Sequence, residues 1–310
     1  MEEKIEIMNL LQNKQILEHE LESLAYGSVE IRENNSNKYI YVHYREDGVA
    51  LTKYVGEYSD ELYNLVLNNS IKAKQLKKQI REITKKLKQF NYMEEELSEK
   101  VEQNIDFAKR HLADTIYKQA ILEGVATTFA DTESIIEGGK VNNMTPEDIL
   151  KIVNLKHAWE FILNKNVILS NTNFALLCEI NKFVEEGFYY TAGKVRNTPV
   201  TIGGTTWKPD LPIESVIKEE LEEIFNKDLN DVDRAIELLL YTMKKQIFID
   251  GNKRTAVIYS NHYLISKGKG IFSIPVEENE KFKQLLISYY EGKEEKKIKE
   301  FIKEKCYIKI

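Results

Sequence analysis

The residues best suited to chemistry lie in the segment Gln246–Ala256, which reads Gln-Ile-Phe-Ile-Asp-Gly-Asn-Lys-Arg-Thr-Ala. A helical pattern of apolar residues precedes it over about 231–246, and a second pattern follows over about 252–267. Gly251 and Asn252 therefore stand at a predicted helix N-terminus. Unpaired backbone N–H groups and the positive end of the helix dipole make such a position a binding site for an anion.

Three charged side chains adjoin this predicted N-terminus. Lys253 and Arg254 add positive charge, and Asp250 adds a carboxylate. A carboxylate beside cationic groups suits Mg²⁺ that is shared with a polyphosphate. The residues alone thus predict a phosphate–magnesium site. They leave open an Asp/Asn helix cap with two solvated basic side chains.

Other common catalytic devices are missing from the sequence. It contains no Gly-x4-Gly-Lys-Ser/Thr phosphate loop, no His-Glu-x-x-His and no Cys-x-x-Cys. The sequence therefore argues against a phosphate-loop nucleotide site and against a zinc site. The histidines share no spacing; they are His19, His43, His111, His157 and His262.

The stretch from Phe248 to Arg254 resembles the signature of the Fic (Fido) family, His-x-Phe-x-Asp/Glu-Gly-Asn-Gly/Lys-Arg. Lys253 followed by Thr255 resembles the Doc-like spelling of that signature. All its fixed positions are met except the first, where Gln246 stands in place of histidine.

Two further stretches resemble the same family. Gly193–Arg196, followed by 200–204 and Trp207–Pro209, is similar to the part that forms the family's flap hairpin. Glu133–Gly138 is similar to the inhibitory helix that precedes many Fic cores. The resemblance covers roughly residues 110–290.

The resemblance implies a mainly α protein, with an all-helical core and a β-hairpin flap. It implies an enzyme that binds ATP with Mg²⁺ and transfers AMP to a Ser, Thr or Tyr hydroxyl of a target protein. Modification of the chain by itself and a homodimer are left open. A membrane partner is not expected.

The family's site residues are carried over to matching positions. Asp250 is expected to hold Mg²⁺, and Gln246 occupies the place of the catalytic base. The residues expected to bind the nucleotide are Phe248, Gly251, Asn252, Lys253 and Arg254, of which Asn252 and Arg254 are also assigned to catalysis. The residues expected to dock the target by strand addition are Val200, Thr201, Ile202, Gly203 and Gly204.

Gln246 is the main departure from the family pattern. A glutamine amide can orient a hydroxyl but has no basic nitrogen near pH 7. Loss of a general base typically lowers a rate by about 10²–10⁴. The sequence is consistent with a slowed enzyme, with a substrate that supplies its own base, and with an engineered change. His262 lies about two helical turns past Arg254 and is better explained as a packed or solvated helix residue than as a substitute base.

Inhibition also departs from the family pattern. Many relatives carry a second arginine three residues after the first, but here that place is Val257. Glu137 is the expected inhibitory residue and would have to engage Arg254 or the anion hole directly. The alternative is that Glu137 ends a helix before Gly138.

The expected domains are an N-terminal α+β appendage over 1–105 and the Fic-like core over 106–310. Residues 2–24 follow a helical pattern, and 28–55 alternate as an antiparallel meander. A helix over 58–104 carries a short apolar heptad seam, for which we prefer an antiparallel hairpin to an intermolecular coiled coil. Its segment 72–88 is strongly basic; a solvated face is the preferred reading, and contact with nucleic acid the alternative.

Composition limits the function classes. The net charge is −6, so the whole chain is not a general nucleic-acid binder. It has no run of about 18 apolar residues, and its two cysteines, Cys178 and Cys306, fit a reducing compartment, so we expect a cytoplasmic protein. The favoured function is AMP transfer. The rivals are a catalytically inactive nucleotide- or partner-binding protein and a regulator associated with nucleic acid.

Overall fold

A computed structural model describes residues 23–34, 37–46, 49–90, 97–142 and 144–310. It also describes some helical residues between positions 6 and 21. The chain forms two units. Unit 1 contains Met1–Glu96 and Glu137–Gly139, and unit 2 contains Leu97–Ile136 and Lys140–Ile310. The division before Leu97 precedes residue 105, where the sequence predicted it. Most of the helix predicted over 2–24 lies outside the described residues.

Unit 1 contains a three-stranded antiparallel sheet of β1 (Ser28–Asn34), β2 (Asn37–Glu46) and β3 (Val49–Glu57), in the order β1-β2-β3. The predicted meander is therefore present. Side chains alternate across β2, so that Ile40 and Val42 are fully buried and pack with Val66 of the following helix.

That helix, α1 (Asp60–Gln89), contains most of the predicted heptad seam. Ala73, Leu76 and Leu87 of the seam are buried. Lys72 forms an ion pair with Glu20 at 2.6 Å, which places this part of the N-terminal segment beside α1. The preferred helical hairpin requires such a contact. The basic side chains of this helix are mostly exposed, which agrees with a solvated face.

The described residues of unit 2 form helices, connecting loops and two short strands, β4 (Ile271–Phe272) and β5 (Tyr307–Ile308), which pair antiparallel. Its helices are α2 (Glu99–Arg110), α3 (Leu112–Leu122), α4 (Phe129–Ile136), α5 (Pro146–Ile162), α6 (Lys165–Ile168), α7 (Phe174–Val184), α8 (Glu214–Asn226), α9 (Asp231–Lys245), α10 (Asn252–Ser266), α11 (Asn279–Tyr290) and α12 (Glu295–Phe301). A 3₁₀ turn, Val276–Glu278, precedes α11, and a π turn, Ile302–Cys306, follows α12. The fold is thus mainly α, as expected.

Side-chain caps define several helix starts. Ser98, Thr145, Asn173 and Asn230 each accept a hydrogen bond from a backbone N–H of the first turn of α2, α5, α7 and α9, respectively. A cap of this kind contributes typically about 1 kcal/mol.

The centre of unit 2 is α10, in which every residue from Arg254 to Ile265 is buried. It packs against α5, α7 and α9. A helix that is buried on all sides cannot show an amphipathic pattern, which explains the weak apolar stripe in its sequence. Because α10 is fixed on all sides, the loop that leads into it is also fixed.

The predicted flap hairpin does not form. Residues 185–213 contain turns and extended segments but no strand. Prolines at 199, 209 and 212 lack the N–H that ladder pairing requires. We call residues 197–211 the flap segment.

None of the helices in the described part of the chain has both the length and the apolar character of a membrane span. Cys178 is partly buried and Cys306 is buried, and both are free thiols.

Candidate functional site

The signature loop, residues 246–251, joins α9 to α10 with a left-handed residue at each end. Gln246 ends α9 at φ 49° and ψ 58°, and Gly251 precedes α10 at φ 72° and ψ 7°. Gly251 has a second constraint, because a Cβ there would lie 2.3 Å from Glu185 Oε1. Glycine is therefore required both for its backbone conformation and for the close approach of Glu185.

Asn252 closes the signature loop. Its Oδ1 accepts a hydrogen bond from Phe248 N at 3.0 Å, and its Nδ2 donates to Phe248 O at 2.9 Å. Phe248 is buried beneath the loop. The structure thus places both residues as supports of the loop conformation, and the side chain of Asn252 is committed to it.

The side chain of Gln246 bonds to the two helices that flank the loop, at Met243 of α9 and Asn252 of α10. Its Nε2 donates to Met243 O at 2.6 Å, and its Oε1 accepts from Asn252 Nδ2 at 3.3 Å. The amide therefore holds a left-handed residue in place, which is a rare conformation for a residue other than glycine. The amide of Gln246 cannot accept a proton near neutral pH.

Arg254 lies within 4 Å of three carboxylates. Its Nη2 is 2.8 Å from Glu185 Oε1 and 3.6 Å from Asp250 Oδ2, and its Nε is 3.7 Å from Glu123 Oε2. Lys253 Nζ is 3.2 Å from Glu123 Oε1. The two cations of the predicted anion site are therefore already paired with carboxylates, chiefly those of Glu123 and Glu185. These two residues directly follow α3 and α7, respectively.

Glu185 is the most deeply buried of these carboxylates, with 1% of its surface exposed. Burial raises the pKa of Glu185 to about 7; the positive charge of Arg254 opposes this rise, and the negative charges of Asp250 and Glu123 add to it. Desolvation and the neighbouring carboxylates therefore disfavour the ionised form of Glu185 more strongly than Arg254 favours it.

Asp250 is the most exposed carboxylate of the site, and its Oδ1 accepts a hydrogen bond from Gly251 N at 2.7 Å. The described residues contain no cluster of three or more His, Cys, Asp or Glu side chains that could hold a metal. Mg²⁺ commonly binds one or two carboxylates and takes its other ligands from phosphate and water. An exposed Asp250 beside an anion site fits that mode.

A buried asparagine of α7 connects the site to the chain that leads into the flap segment. Asn181 Nδ2 donates to Asp250 O and to Thr255 Oγ1, each at 3.1 Å, and its Oδ1 accepts from Gly193 N at 2.9 Å. Gln119 of α3 donates to Arg254 O at 2.9 Å. Sequence reasoning missed Asn181, Gln119, Glu123 and Glu185. The signal for Asn181 and Gln119 was a polar residue within an apolar helical pattern, and Glu123 and Glu185 gave no signal.

Arg196 fixes both ends of the flap segment to the signature loop. Its Nε donates to Gln246 O at 2.6 Å, its Nη1 to Thr198 O at 2.8 Å and its Nη2 to Asp210 O at 2.7 Å. Its backbone N–H bonds to Ile247 O at 3.0 Å. One buried guanidinium thus joins the signature loop to residues near both ends of the flap segment.

The predicted target-docking residues lie between these anchor points. Thr201, Gly203 and Gly204 are exposed, and Val200 and Ile202 are partly buried. Beyond them, Trp207 stacks on Tyr290 of α11 with ring centroids 5.6 Å apart. The docking role of Val200–Gly204 stays a prediction.

Glu137 belongs to unit 1. Its Oε2 is 3.0 Å from Arg32 Nη1, and its carbonyl oxygen accepts a hydrogen bond from Tyr54 N at 2.9 Å. Val257, at the place of the family's second arginine, is buried in the core of unit 2. The inhibitory role of Glu137 stays a prediction, and its carboxylate is engaged by Arg32.

His262 is fully buried, and its Nε2 donates to Val167 O at 2.8 Å while Nδ1 accepts from Thr172 Oγ1 at 2.8 Å. Burial lowers the pKa of His262 to about 4. The expectation that it is a packed helix residue is therefore confirmed.

A comparison with models of protein families places the signature loop within a matched region. Residues 171–264, which include α7, the flap segment, α9 and the signature loop, match the model of the Fic/DOC family. No curated protein sequence matches significantly.

Several solved structures share the fold. Fic-1 from C. elegans superposes with a TM-score of 0.53 at 16% identity, over 79% of this chain and 77% of that one. A Fic domain containing signaling protein from Bacteroides thetaiotaomicron gives 0.51 at 18% identity, over 62% and 76% of the two chains. A Fic family protein from Desulfovibrio desulfuricans gives 0.53 at 14% identity, over 66% of each chain. At these identities the likeness is one of fold.

Proposed function

Residues 171–264 of this chain are a Fic/DOC domain, and from that premise we propose that the protein transfers AMP from ATP to a Ser, Thr or Tyr hydroxyl of a target protein. The observation that carries the proposal is the N-terminus of α10. Gly251 turns the chain there in a left-handed conformation, and Lys253 and Arg254 follow within the first turn. The backbone N–H groups of a helix N-terminus and two cations in one place favour a polyphosphate.

The remaining residues of the loop fit a bound nucleotide. Mg²⁺ held by Asp250 would neutralise phosphate charge. Lys253 and Arg254 would stabilise the charge that develops on the leaving pyrophosphate. The flap segment, fixed to the loop through Arg196, would present the target hydroxyl next to the nucleotide.

The proposed reaction joins AMP to the target hydroxyl and releases pyrophosphate. The hydroxyl oxygen forms a bond to the α-phosphorus, the bond from that phosphorus to the pyrophosphate oxygen breaks, and the hydroxyl proton is released. Gln246 can hold the hydroxyl by a hydrogen bond but cannot take this proton. The expected activity is therefore slow unless the proton leaves to another acceptor.

Labelling with ATP that carries the label on its α-phosphate tests the proposal. The parent chain and a Gln246→His variant are incubated with a cell lysate and with Mg²⁺. Arg254→Gln serves as the variant without the phosphate contact, and Arg110→Gln, an exposed arginine of α2, as its matched control. We expect labelled protein in the Gln246→His sample and in its combination with Arg110→Gln, and none when Gln246→His is combined with Arg254→Gln.

A second candidate function is nucleotide binding without transfer. It is favoured by the side chain of Gln246, whose amide nitrogen and oxygen are both engaged by residues of the flanking helices, Met243 and Asn252. If calorimetry detects ATP binding while Gln246→His labels nothing, this second function replaces the first.

A further inference from the structure

The phosphate-binding side of the candidate site is closed by the protein itself. Arg254 is only 3% exposed although it is the residue expected to meet the distal phosphates. Glu123 and Glu185 cover it, and we call these two residues the acidic clamp. A phosphate can reach the guanidinium only after the clamp has moved or been displaced.

The clamp is poorly satisfied. Four of the eight buried side-chain polar atoms without a hydrogen-bond partner in the described chain lie in this one cluster: Glu123 Oε1, Glu185 Oε1, Arg254 Nε and Arg254 Nη1. The 2.8 Å contact between Arg254 Nη2 and Glu185 Oε1 is thus an ion pair without hydrogen-bond alignment. A buried polar group that lacks a partner is costly and calls for an explanation, such as stored strain or a ligand that the group would meet.

The local charge also opposes an anion. Three carboxylates, on Glu123, Glu185 and Asp250, surround the two cations Lys253 and Arg254. The site therefore carries one negative charge in excess when all three acids are ionised. A polyphosphate would meet repulsion from the clamp before it met attraction from Arg254.

Glu185 is the better placed of the two clamp residues to compete with a phosphate. It makes the short contact to Arg254, whereas the nearest contact of Glu123 to Arg254 is 3.7 Å. It also lies against Gly251, the residue at the mouth of the anion site. Its carboxylate thus contacts both parts of the site that a phosphate would use.

We propose that the Glu185 carboxylate, supported by Glu123, restrains Arg254 as a built-in phosphate mimic, and that a nucleotide phosphate binds by replacing it. The inference rests on the proposed function in that it needs a phosphate ligand at Arg254. It places the restraint inside unit 2, at the end of α7, and it requires no contribution from Glu137. The raised pKa of Glu185 agrees with a carboxylate that is held there at a cost.

Calorimetric titration with ATP and Mg²⁺ at pH 8 tests the restraint. Glu185→Gln keeps the shape of the side chain and removes its charge. Glu186→Gln is the matched control, because Glu186 is the next residue and is exposed. We expect Glu185→Gln to bind ATP at least about tenfold more tightly than the parent. In this variant the phosphate no longer has to displace a charge-assisted contact from Arg254. Glu186→Gln should match the parent.

A second variant and a second probe keep the test decisive if Glu185→Gln fails to fold. Glu123→Gln removes the weaker half of the clamp, and we expect an affinity gain of about threefold for both ATP and inorganic pyrophosphate. Circular dichroism establishes which variants are folded.

The outcomes separate the inference from the proposed function. Binding by Glu185→Gln with none by the parent would support the restraint in its strongest form. If the parent binds ATP and folded Glu185→Gln, or failing that Glu123→Gln, binds no more tightly, the restraint is wrong and the nucleotide site stands. If no folded variant binds ATP or pyrophosphate, both the restraint and the nucleotide site are wrong.

Discussion

Replacement of Arg196 by lysine should release the flap segment. The guanidinium donates to three backbone carbonyl groups at 2.6, 2.8 and 2.7 Å. Lysine keeps the charge, but its single nitrogen cannot reach carbonyl groups that are spread around a planar fork. One or two bonds would therefore be lost, each involving a charged donor and worth about 1.5–3 kcal/mol. Arg196→Lys should lower the free energy of unfolding by about 2–5 kcal/mol.

Two measurements check this prediction. Urea denaturation followed by circular dichroism gives the loss of stability, and limited proteolysis reports whether residues 197–211 become accessible. Lys194→Gln is the control, because Lys194 is exposed two residues earlier and should change neither reading. If Arg196→Lys stays within about 0.5 kcal/mol of the parent and resists proteolysis equally, the three bonds do not hold the flap segment.

Two further predictions concern His262 and Glu137. Because the pKa of His262 is lowered to about 4 in the folded protein from 6.5, the unfolded chain takes up its proton first as pH falls. Protonation of the unfolded chain at this group should therefore lower the free energy of unfolding by about 3 kcal/mol between pH 6.5 and 4. Urea denaturation across that range measures this pH dependence. His262→Gln should lack the contribution, and the control His157→Gln should retain it. Arg32→Gln should free the Glu137 carboxylate from its ion pair. If Glu137 restrains the site, Arg32→Gln lowers the ATP affinity measured by calorimetry, and the double variant Arg32→Gln, Glu137→Gly restores it. No change in either variant would leave Glu137 as a helix-end residue paired on the surface.

The signature loop could be predicted from sequence because its signals are local. A Gly-Asn pair between two helical patterns predicts a helix N-terminus, and the structure begins α10 at Asn252. The meander of unit 1 was equally local, since alternation of apolar residues depends only on neighbours. Both predictions needed no knowledge of tertiary contacts.

The acidic clamp could not be predicted because it is made by residues that are distant in sequence. Glu123 and Glu185 each follow the last turn of a helix, where a glutamate is an ordinary solvated residue. Their meeting at Arg254 depends on how α3, α7 and α10 pack. The flap hairpin was expected from the family resemblance and not from a local pattern. In the structure this segment has no strand, and Arg196 binds the carbonyl oxygens of Thr198 and Asp210 near its two ends.

Gln246 is the residue on which the two proposed functions divide, and its geometry shows why histidine should restore a base there. The amide donates to Met243 O and accepts from Asn252 Nδ2. A neutral imidazole offers one donor and one acceptor, so we expect it to meet both partners with little movement of the loop. The accepted bond is long, at 3.3 Å, and a target hydroxyl that approaches this nitrogen would compete with it readily.

Gln246→His should therefore raise AMP transfer by at least about tenfold with little change in ATP affinity, a modest share of what a general base contributes. The gain should decline as pH falls below about 6.5, because a protonated imidazole cannot accept the hydroxyl proton. A gain that does not change with pH would mean that the histidine acts by reshaping the loop rather than as a base. With ATP bound normally and no transfer at any pH, the missing step lies elsewhere, and nucleotide binding by a restrained Arg254 becomes the function that this site performs.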